Sequence, residues 1–371
     1  MEKEMRFCVP CLLGVEGLLA EELREIGCLD VTAENGRVLF SGAAGDIARA
    51  NVCLRTAERV LILVGEFPAI SFEELFQGVK ALDWASFLPK NAAFPVKGYC
   101  LDSQLHSMPD CQKIIKKAVV EKLKQSYRMD WFPEDGAKVQ IQFSMMKDRA
   151  SIYLDTTGAA LHKRGWRPEG NAAPLRETLA AAMVKLSRYR GREAFYDPFC
   201  GSGTIAIEAA LAALNRAPGL DRSFDAQNWE TLPKDIWTRA KEEARSKEYR
   251  GSYDIRGGDI DPKCVEIARH NARRAGVEQI VRFELADARK FLPGGAGGLL
   301  VTNPPYGERL LEKDEARQLY RDFGAAMKGA ENWKQYILSS DGEFEFFFGK
   351  KATKKRKLYN GMIKCDLYMY F

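Results

Sequence analysis

Residues 194–212 read AFYDPFCGSGTIAIEAALA, and within them Asp197-Pro198-Phe199-Cys200-Gly201-Ser202-Gly203-Thr204 joins a strand-like run to an apolar helix-like run. Glycines at such a turn let a ligand approach the backbone, and the helix that follows presents its N-terminal N–H groups to that ligand. Working outward, strand-like and helix-like segments alternate: YDIRGGDID at 253–261, PKCVEIARHNARRAG at 262–276, VRFELAD at 281–287, GGLLVTNPP at 297–305 and QYILSSD at 335–341. That alternation builds a doubly wound, mostly parallel α/β sheet. Helix 262–275 has clear punctuation, with Asp261 as N-cap, Pro262 in the first turn and Gly276 past the end. Gly201 to Ala206 also fits a loose GxGxxA dinucleotide fingerprint, yet the acidic residue expected about 20 positions on is not at a strand end. Asp221 has the spacing but falls in a charged insertion over 215–253, read as a solvated helical decoration.

Asn303-Pro304-Pro305-Tyr306 follows the strand-like LLVT. An exocyclic amine of a nucleobase is a poor nucleophile, because its lone pair is delocalised into the ring. The Asn303 side-chain oxygen and the Pro304 carbonyl can accept both amine hydrogens and aim the lone pair at an electrophilic methyl. Proline after Asn303 restricts the backbone of both residues, and Tyr306 offers a face on which a base can stack. A sulfonium methyl donor has an excellent leaving group, so the chemistry needs neither His nor Cys.

DPFCGSGT followed by NPPY, with acids ending the intervening strands, resembles class I S-adenosylmethionine-dependent amino-methyltransferases. LHKRGWRPEGNAAPLRETLAAAM before the glycine loop, NPPYGERL at the site and the preceding THUMP-like region narrow the resemblance to bacterial THUMP-domain methyltransferases of the large-subunit ribosomal RNA guanine-N2 type. The likeness spans essentially the whole chain. It implies a Rossmann-like class I methyltransferase domain with a mostly parallel seven-stranded sheet, preceded by α+β ferredoxin-like and THUMP domains. It also implies S-adenosylmethionine as cofactor with S-adenosylhomocysteine as product, no metal, and RNA, 23S ribosomal RNA first, as partner. Because the chain ends soon after NPPY, the second methyltransferase domain fused to some members is not expected. Carried onto this sequence, the resemblance makes Asp197, Phe199, Gly201, Ser202, Gly203 and Thr204 the loop around the methionine part of the cofactor. Asp259 would hold the ribose hydroxyls, with Asp261 the lesser candidate, and Asp287 would accept from the adenine amine. Asn171, Pro174, Leu175 and Arg176 would close over the cofactor, and Asn303, Pro304, Pro305 and Tyr306 would be catalytic. A tRNA guanine-N2 or adenine-N6 enzyme, and a non-catalytic RNA-binding or assembly factor with the same fold, are the alternatives.

Upstream, residues 6–64 alternate as RFCVPC, VEGLLAEELREIG, RVLFSG, DIARANVCLRTAE and RVLILVGEF, a small α+β pattern. FEELFQGVKAL and a basic helix around CQKIIKKAVVEKLKQSY then precede two strands, KVQIQFSMMK and RASIYLDTTG, at hairpin spacing. The Gly-, Pro- and Arg-rich stretch LHKRGWRPEGNAAP reads as a linker. The expected domains are therefore 1–66 (ferredoxin-like), 67–160 (THUMP) and 161–371 (methyltransferase, with 161–175 as linker and cofactor-closing segment).

The composition is that of a folded globular protein, 46% hydrophobic and 29% charged with a net charge of +5, which excludes disordered and fibrous classes. Lys350, Lys351, Lys354, Lys355, Arg356 and Lys357 alone exceed that net charge, and they read as a basic loop before the final hairpin. Together with Lys113, Lys116 and Lys117 on the basic helix, and Lys163, Arg164 and Arg167 around Trp166 in the linker, they are the candidate RNA contacts. Nine scattered cysteines, including a lone Cys8/Cys11 pair, and three separated histidines suggest free thiols in a reducing compartment and no zinc site. The first 26 residues carry charges throughout and no later apolar run reaches membrane length, so a cytoplasmic protein without membrane segments is expected; the sequence points to no obligate protein partner.

Overall fold

The structure is a computed structural model that describes residues 4–167, 175–291, 297–305 and 313–371. It divides into two compact units. One comprises residues up to 10 with 20–161 and 222–242; the other comprises 11–19, 162–221 and 243–371.

The first unit is built on strands β1 (Met5–Pro10), β2 (Leu29–Glu34), β3 (Arg37–Gly42), β4 (Leu61–Pro68), β5 (Val96–Leu101), β6 (Gln140–Met146) and β7 (Arg149–Asp155). They form one sheet in the order β2-β3-β1-β4-β7-β6-β5. β4 pairs with β1 on one side and β7 on the other, so a single hydrogen-bonded sheet runs through the position expected to divide two domains. Helices α1 (Glu16–Glu25), α2 (Ala44–Cys53), α3 (Phe72–Lys80) and α4 (Met108–Tyr127) and a 3-10 turn at Trp84–Ser86 lie between these strands. The β6–β7 connection is a two-residue turn, Lys147 and Asp148, both with positive φ, the conformation that matches the twist of a hairpin.

Two strands, β2 and β5, were not expected from the sequence. β2 is exposed along most of its length and β5 alternates around Gly98, so neither carries a buried apolar run. The insertion also differs from its reading as a solvated decoration. Phe224, Trp229 and Trp237 are buried within the first unit; Phe224 stacks on Trp237 at 5.2 Å and Trp229 Nε1 donates to the Lys138 carbonyl at 2.8 Å. Its helix α7 (Asp235–Ser246) is amphipathic, and the apolar side is covered.

The second unit contains α5 (Glu177–Leu186), β8 (Ala194–Asp197), α6 (Thr204–Ala213), β9 (Ile255–Asp259), α8 (Pro262–Arg274), β10 (Val281–Leu285), β11 (Gly298–Thr302), α9 (Lys313–Ala326), β12 (Trp333–Ser339), α10 (Phe344–Phe348), β13 (Lys354–Asn360) and β14 (Ile363–Tyr370). The strand order is β10-β9-β8-β11-β12-β14-β13, parallel except where β14 runs antiparallel to both neighbours. Successive side chains enter opposite cores, as strand geometry requires. Phe195, Leu299, Val301 and Leu338 pack with α5, α6 and α8, whereas Tyr196, Leu300 and Ile337 pack with α9 and α10. A sheet covered on both faces leaves its strand ends as the place for a ligand, at the point where the order reverses between β8 and β11. Residues 350–357, read as a loop, are half strand: from Lys354 they form the edge strand β13. Residues 11–19 pack in this unit, with Val15 in its core and Arg356 donating from Nε and Nη2 to the Gly14 carbonyl at 3.0 and 2.6 Å.

Candidate functional site at the strand ends

β8 ends in Asp197, whose carboxyl is buried. It accepts from the Thr302 hydroxyl at 2.6 Å and from the Phe199 N–H at 3.3 Å. Burial pushes its pKa up to about 7, with the nearby Asp259 charge adding to the rise against these two donors. The turn after Asp197 needs glycine twice. Gly201 has φ +51 and Gly203 φ +82; a Cβ on Gly203 would meet Phe283 and Ala268 below 3.0 Å, whereas one on Gly201 would meet nothing within 4 Å. The Gly201 side of the loop is thus open and the Gly203 side is packed. Asn271 of α8 donates to the Ser202 carbonyl at 2.9 Å, and the Ser202 and Thr204 hydroxyls lie 3.1 Å apart.

β9 ends in Asp259, which bridges the site: Oδ2 accepts from Gly201 N–H and Oδ1 from Asp261 N–H, each at 2.9 Å. Asp261 caps α8 through the Lys263 N–H, the role its spacing suggested. Asp287 lies two residues past β10, accepts from the Arg289 N–H and is paired with the Arg289 side chain at 2.8 Å, which lowers its pKa. Three carboxylates therefore line adjacent strand ends around an open glycine turn. Such an edge suits a ligand that is cationic at one end and rich in hydroxyls and amines elsewhere.

Beyond β11, Asn303 Oδ1 is buried and has no hydrogen-bond partner among the described residues. A buried acceptor left unpaired costs free energy, roughly 1–3 kcal/mol, which a donor delivered by a ligand would recover. The Pro305 carbonyl is held by the Tyr320 hydroxyl at 3.1 Å, and that fixes the backbone on which Asn303 sits. Tyr306, Asn171 and Pro174 lie outside the described residues. Leu175 is buried, and Arg176 takes the N-cap position of α5.

The linker cations behave differently from their expected role. Arg164 is buried in an ion pair with Glu208 of α6, both side chains no more than 1% exposed, so it cannot reach RNA. Arg167 is likewise committed inside the protein: its guanidinium donates to the Leu175 carbonyl, the Thr204 hydroxyl and Glu177, which ties the linker to the start of α6 and leaves the guanidinium no RNA-facing role. Trp166 is buried in the core and cannot stack on an external base. Lys116 is held by Glu134 at 2.6 Å, Lys355 by Glu345 at 2.7 Å, and Arg356 by Gly14. Lys113, Lys117, Lys163, Lys354 and Lys357 are exposed, with Lys113 lying 3.6 Å from Asp110.

Sequence reasoning missed Thr302, Asn271, Ile260 and Leu285. The first two are polar residues inside regular elements, where only contact across the sheet reveals a role. Ile260 and Leu285 are 63% and 64% exposed near Asp259 and Asp287, and an apolar residue adjoining an acid at a strand end was the available signal. Among the described residues no cluster of His, Cys, Asp and Glu could hold a metal, no helix is long and apolar enough to cross a membrane, and all nine cysteines are free thiols.

Residues 164–369 match the methyltransferase domain described as UPF0020, RMKL-like; residues 6–61 match the RlmL ferredoxin-like domain and residues 69–155 the THUMP domain. YpsC of Bacillus subtilis (strain 168), provisionally named an RNA methyltransferase, is 46% identical over 362 residues, covering 97% of this chain and 94% of YpsC. The ribosomal RNA large subunit methyltransferase K/L of Psychromonas ingrahamii is 34% identical across 99% of this chain, which spans 50% of that relative's length. Among solved structures, SMU.472, provisionally named a methyltransferase and complexed with SAH, superposes with a TM-score of 0.95 at 44% identity, covering 100% of this chain and 99% of that one.

Proposed function

The chain belongs to the UPF0020 RMKL-like methyltransferase family, and from that premise we propose that it transfers a methyl group from S-adenosylmethionine to the exocyclic N2 amine of a guanine in RNA, with 23S ribosomal RNA as substrate. The observation that carries the reading is Asn303 Oδ1, a buried acceptor without a partner among the described residues, at the end of β11 beside Asp197. Two neighbours' names support it: an RNA methyltransferase of the K/L type, and a structure holding SAH.

The residues fit this cofactor. Asp197 is a buried carboxyl that meets two neutral donors and no cation among the described residues, so the α-amino group of the methionine part would supply the missing charge. The open Gly201 turn would admit the chain, Asp259 would accept from the ribose hydroxyls and Asp287 from the adenine amine, and the exposed Ile260 and Leu285 would offer apolar contact to the base. When bound, S-adenosylmethionine supplies an electrophilic sulfonium methyl and leaves as S-adenosylhomocysteine. Asn303 Oδ1 and the Pro304 carbonyl accept the two hydrogens of the guanine amine and hold its lone pair toward that methyl; Tyr306 stacks on the base. The surplus amine proton departs to solvent after transfer, so no general base is assigned. The exposed Lys113, Lys117, Lys163, Lys354 and Lys357 meet RNA phosphates, which position the substrate without reading its sequence.

Asn303→Ala is the test. Incubation with radiolabelled S-adenosylmethionine and ribosomal RNA should show loss of methyl transfer, while calorimetry shows cofactor affinity within a few-fold of the parent. Methylation that persists in the variant removes Asn303 from the mechanism. Mass spectrometry of the nucleosides from the parent reaction should find N2-methylguanosine; N6-methyladenosine, or activity on tRNA alone, would replace the substrate assignment.

A further inference from the structure

β11 and β12 are parallel with Thr302 paired to Ile337, so Asn303 and the chain after Ser339 emerge at the same edge of the sheet. β12 leads into α10, five residues of sequence FEFFF. Its Phe344, Phe347 and Phe348 are buried against α9 and β14, but Phe346 is 77% exposed. The helix sits beside the site because Tyr320, which holds the Pro305 carbonyl, also packs edge-on against Phe344 at 4.9 Å.

The charge around Phe346 is sorted. Its ring lies edge-on to Phe347 at 5.1 Å, and the guanidinium groups of Arg317 and Arg321 lie 4.6 and 4.8 Å from the Phe347 centroid. Arg317 is committed to Asp341 and Glu343, and Glu345 is neutralised by Lys355 and the Ala352 N–H. Arg317 thus serves two carboxylates, and Asp322 beside Arg321 accepts from the Gln318 side chain, so the positive character of this face comes from Arg321 and the lysines that follow α10. Arg321 is exposed, bonds only the Gln318 side chain at 3.1 Å, and makes no ion pair among the described residues; Lys350, Lys351 and Lys354 are exposed on the segment after α10. The net result is an uncovered aromatic face with unmatched positive charge beside the strand ends.

We propose that Phe346 and Arg321 form a docking point for the single-stranded RNA that flanks the target nucleotide. The proposal rests on the RNA-methyltransferase reading above and extends it from the reacting base to its neighbours. A base stacks on Phe346, Arg321 meets the adjoining phosphate, and Lys350, Lys351 and Lys354 continue the track. Every base has a stackable face, so this contact favours unpaired RNA without demanding a sequence. The ring contributes almost no burial to the fold, so replacing it should leave the protein intact.

The experiment uses the full chain, its Phe346→Ala, Phe346→Trp and Arg321→Gln variants, and a fluorescein-labelled single-stranded oligoribonucleotide followed by anisotropy. Phe346→Ala should weaken RNA binding about tenfold and raise KM for RNA with kcat and cofactor affinity unchanged, and Phe346→Trp should restore binding. Arg321→Gln should lower the slope of log affinity against log salt by about one. Unaltered RNA affinity in Phe346→Ala with an unchanged melting temperature overturns the docking point, as does a change of sedimentation showing that the face joins two protein chains. Because RNA binding is read without cofactor, the two proposals separate: binding that depends on Phe346 without any methylation would defeat the reaction and keep the docking point, and the reverse pattern would do the opposite.

Discussion

The Thr302 hydroxyl donates a 2.6 Å hydrogen bond to Asp197 Oδ1 and joins the carboxyl ends of β11 and β8, two adjacent parallel strands, at a buried point. Through this bond the strand that delivers Asn303 and the strand that delivers the glycine turn share one anchor. The carboxyl at its centre is more readily protonated than an ordinary aspartate, because burial outweighs its two donors.

Ligand-free stability should therefore depend on Asp197 in a defined direction. Its pKa is raised from the ordinary range to about 7 in the folded protein, so the contribution is complete below the ordinary carboxylate pKa and is lost as pH rises through about 7. Melting temperatures between pH 5.5 and pH 8 should fall more steeply for the parent than for Asp197→Asn. Binding of a cationic cofactor favours the ionised form, so affinity for S-adenosylmethionine should weaken as pH drops below 7. Parallel melting curves for parent and variant would contradict this.

Thr302→Val keeps the shape of the side chain and removes the donor. Asp197 would retain only the Phe199 N–H, so its pKa should climb further and the protein should lose about 1–3 kcal/mol by urea unfolding. The cofactor affinity profile should shift to higher pH. Loss of affinity by the same factor at every pH would assign Thr302 a packing role instead.

Arg164 and Glu208 test the linker's attachment to α6. Breaking a pair this deeply buried leaves one uncompensated charge, so Arg164→Met should cost about 3–5 kcal/mol. Arg164→Met with Glu208→Leu should recover most of that loss. A double variant no more stable than the single one would show that the packing of the arginine stem matters more than its charge.

Gly14 has φ +91, and a Cβ there would stand 2.5 Å from the Lys357 carbonyl oxygen. Both facts oppose any side chain, so Gly14→Ala should destabilise the second unit by more than about 1 kcal/mol. Hydrogen exchange should show the loss of protection in β13. Protection unchanged there would separate residues 11–19 from the stability of that strand.

The catalytic half was largely legible in the sequence, since its signals are local. Asp197 to Thr204 must turn within a few residues and Asp261 caps a helix that begins beside it. The strands of a sheet buried on both faces appear as continuous apolar runs. β5 and β2 escaped because an edge strand needs no such run; its hydrogen bonds with a neighbour define it. The basic run at 350–357 is visible as charge but not as strand, because Lys354, Lys355 and Lys357 on this edge strand are all exposed and show no alternation with buried apolar residues.

Residue chemistry and short-range spacing, then, were sufficient for the order of elements, the glycine turn and the carboxylates at the strand ends. Only the tertiary structure decided which charges are available. Arg164 and Arg167 carry the same charge as Arg321, yet the first two are consumed by Glu208 and Glu177, partners 44 and 10 residues away, while Arg321 faces solvent. Pairing over such separations depends on which elements the fold brings together and on the cost of burying a lone charge, and neither quantity can be read from local sequence.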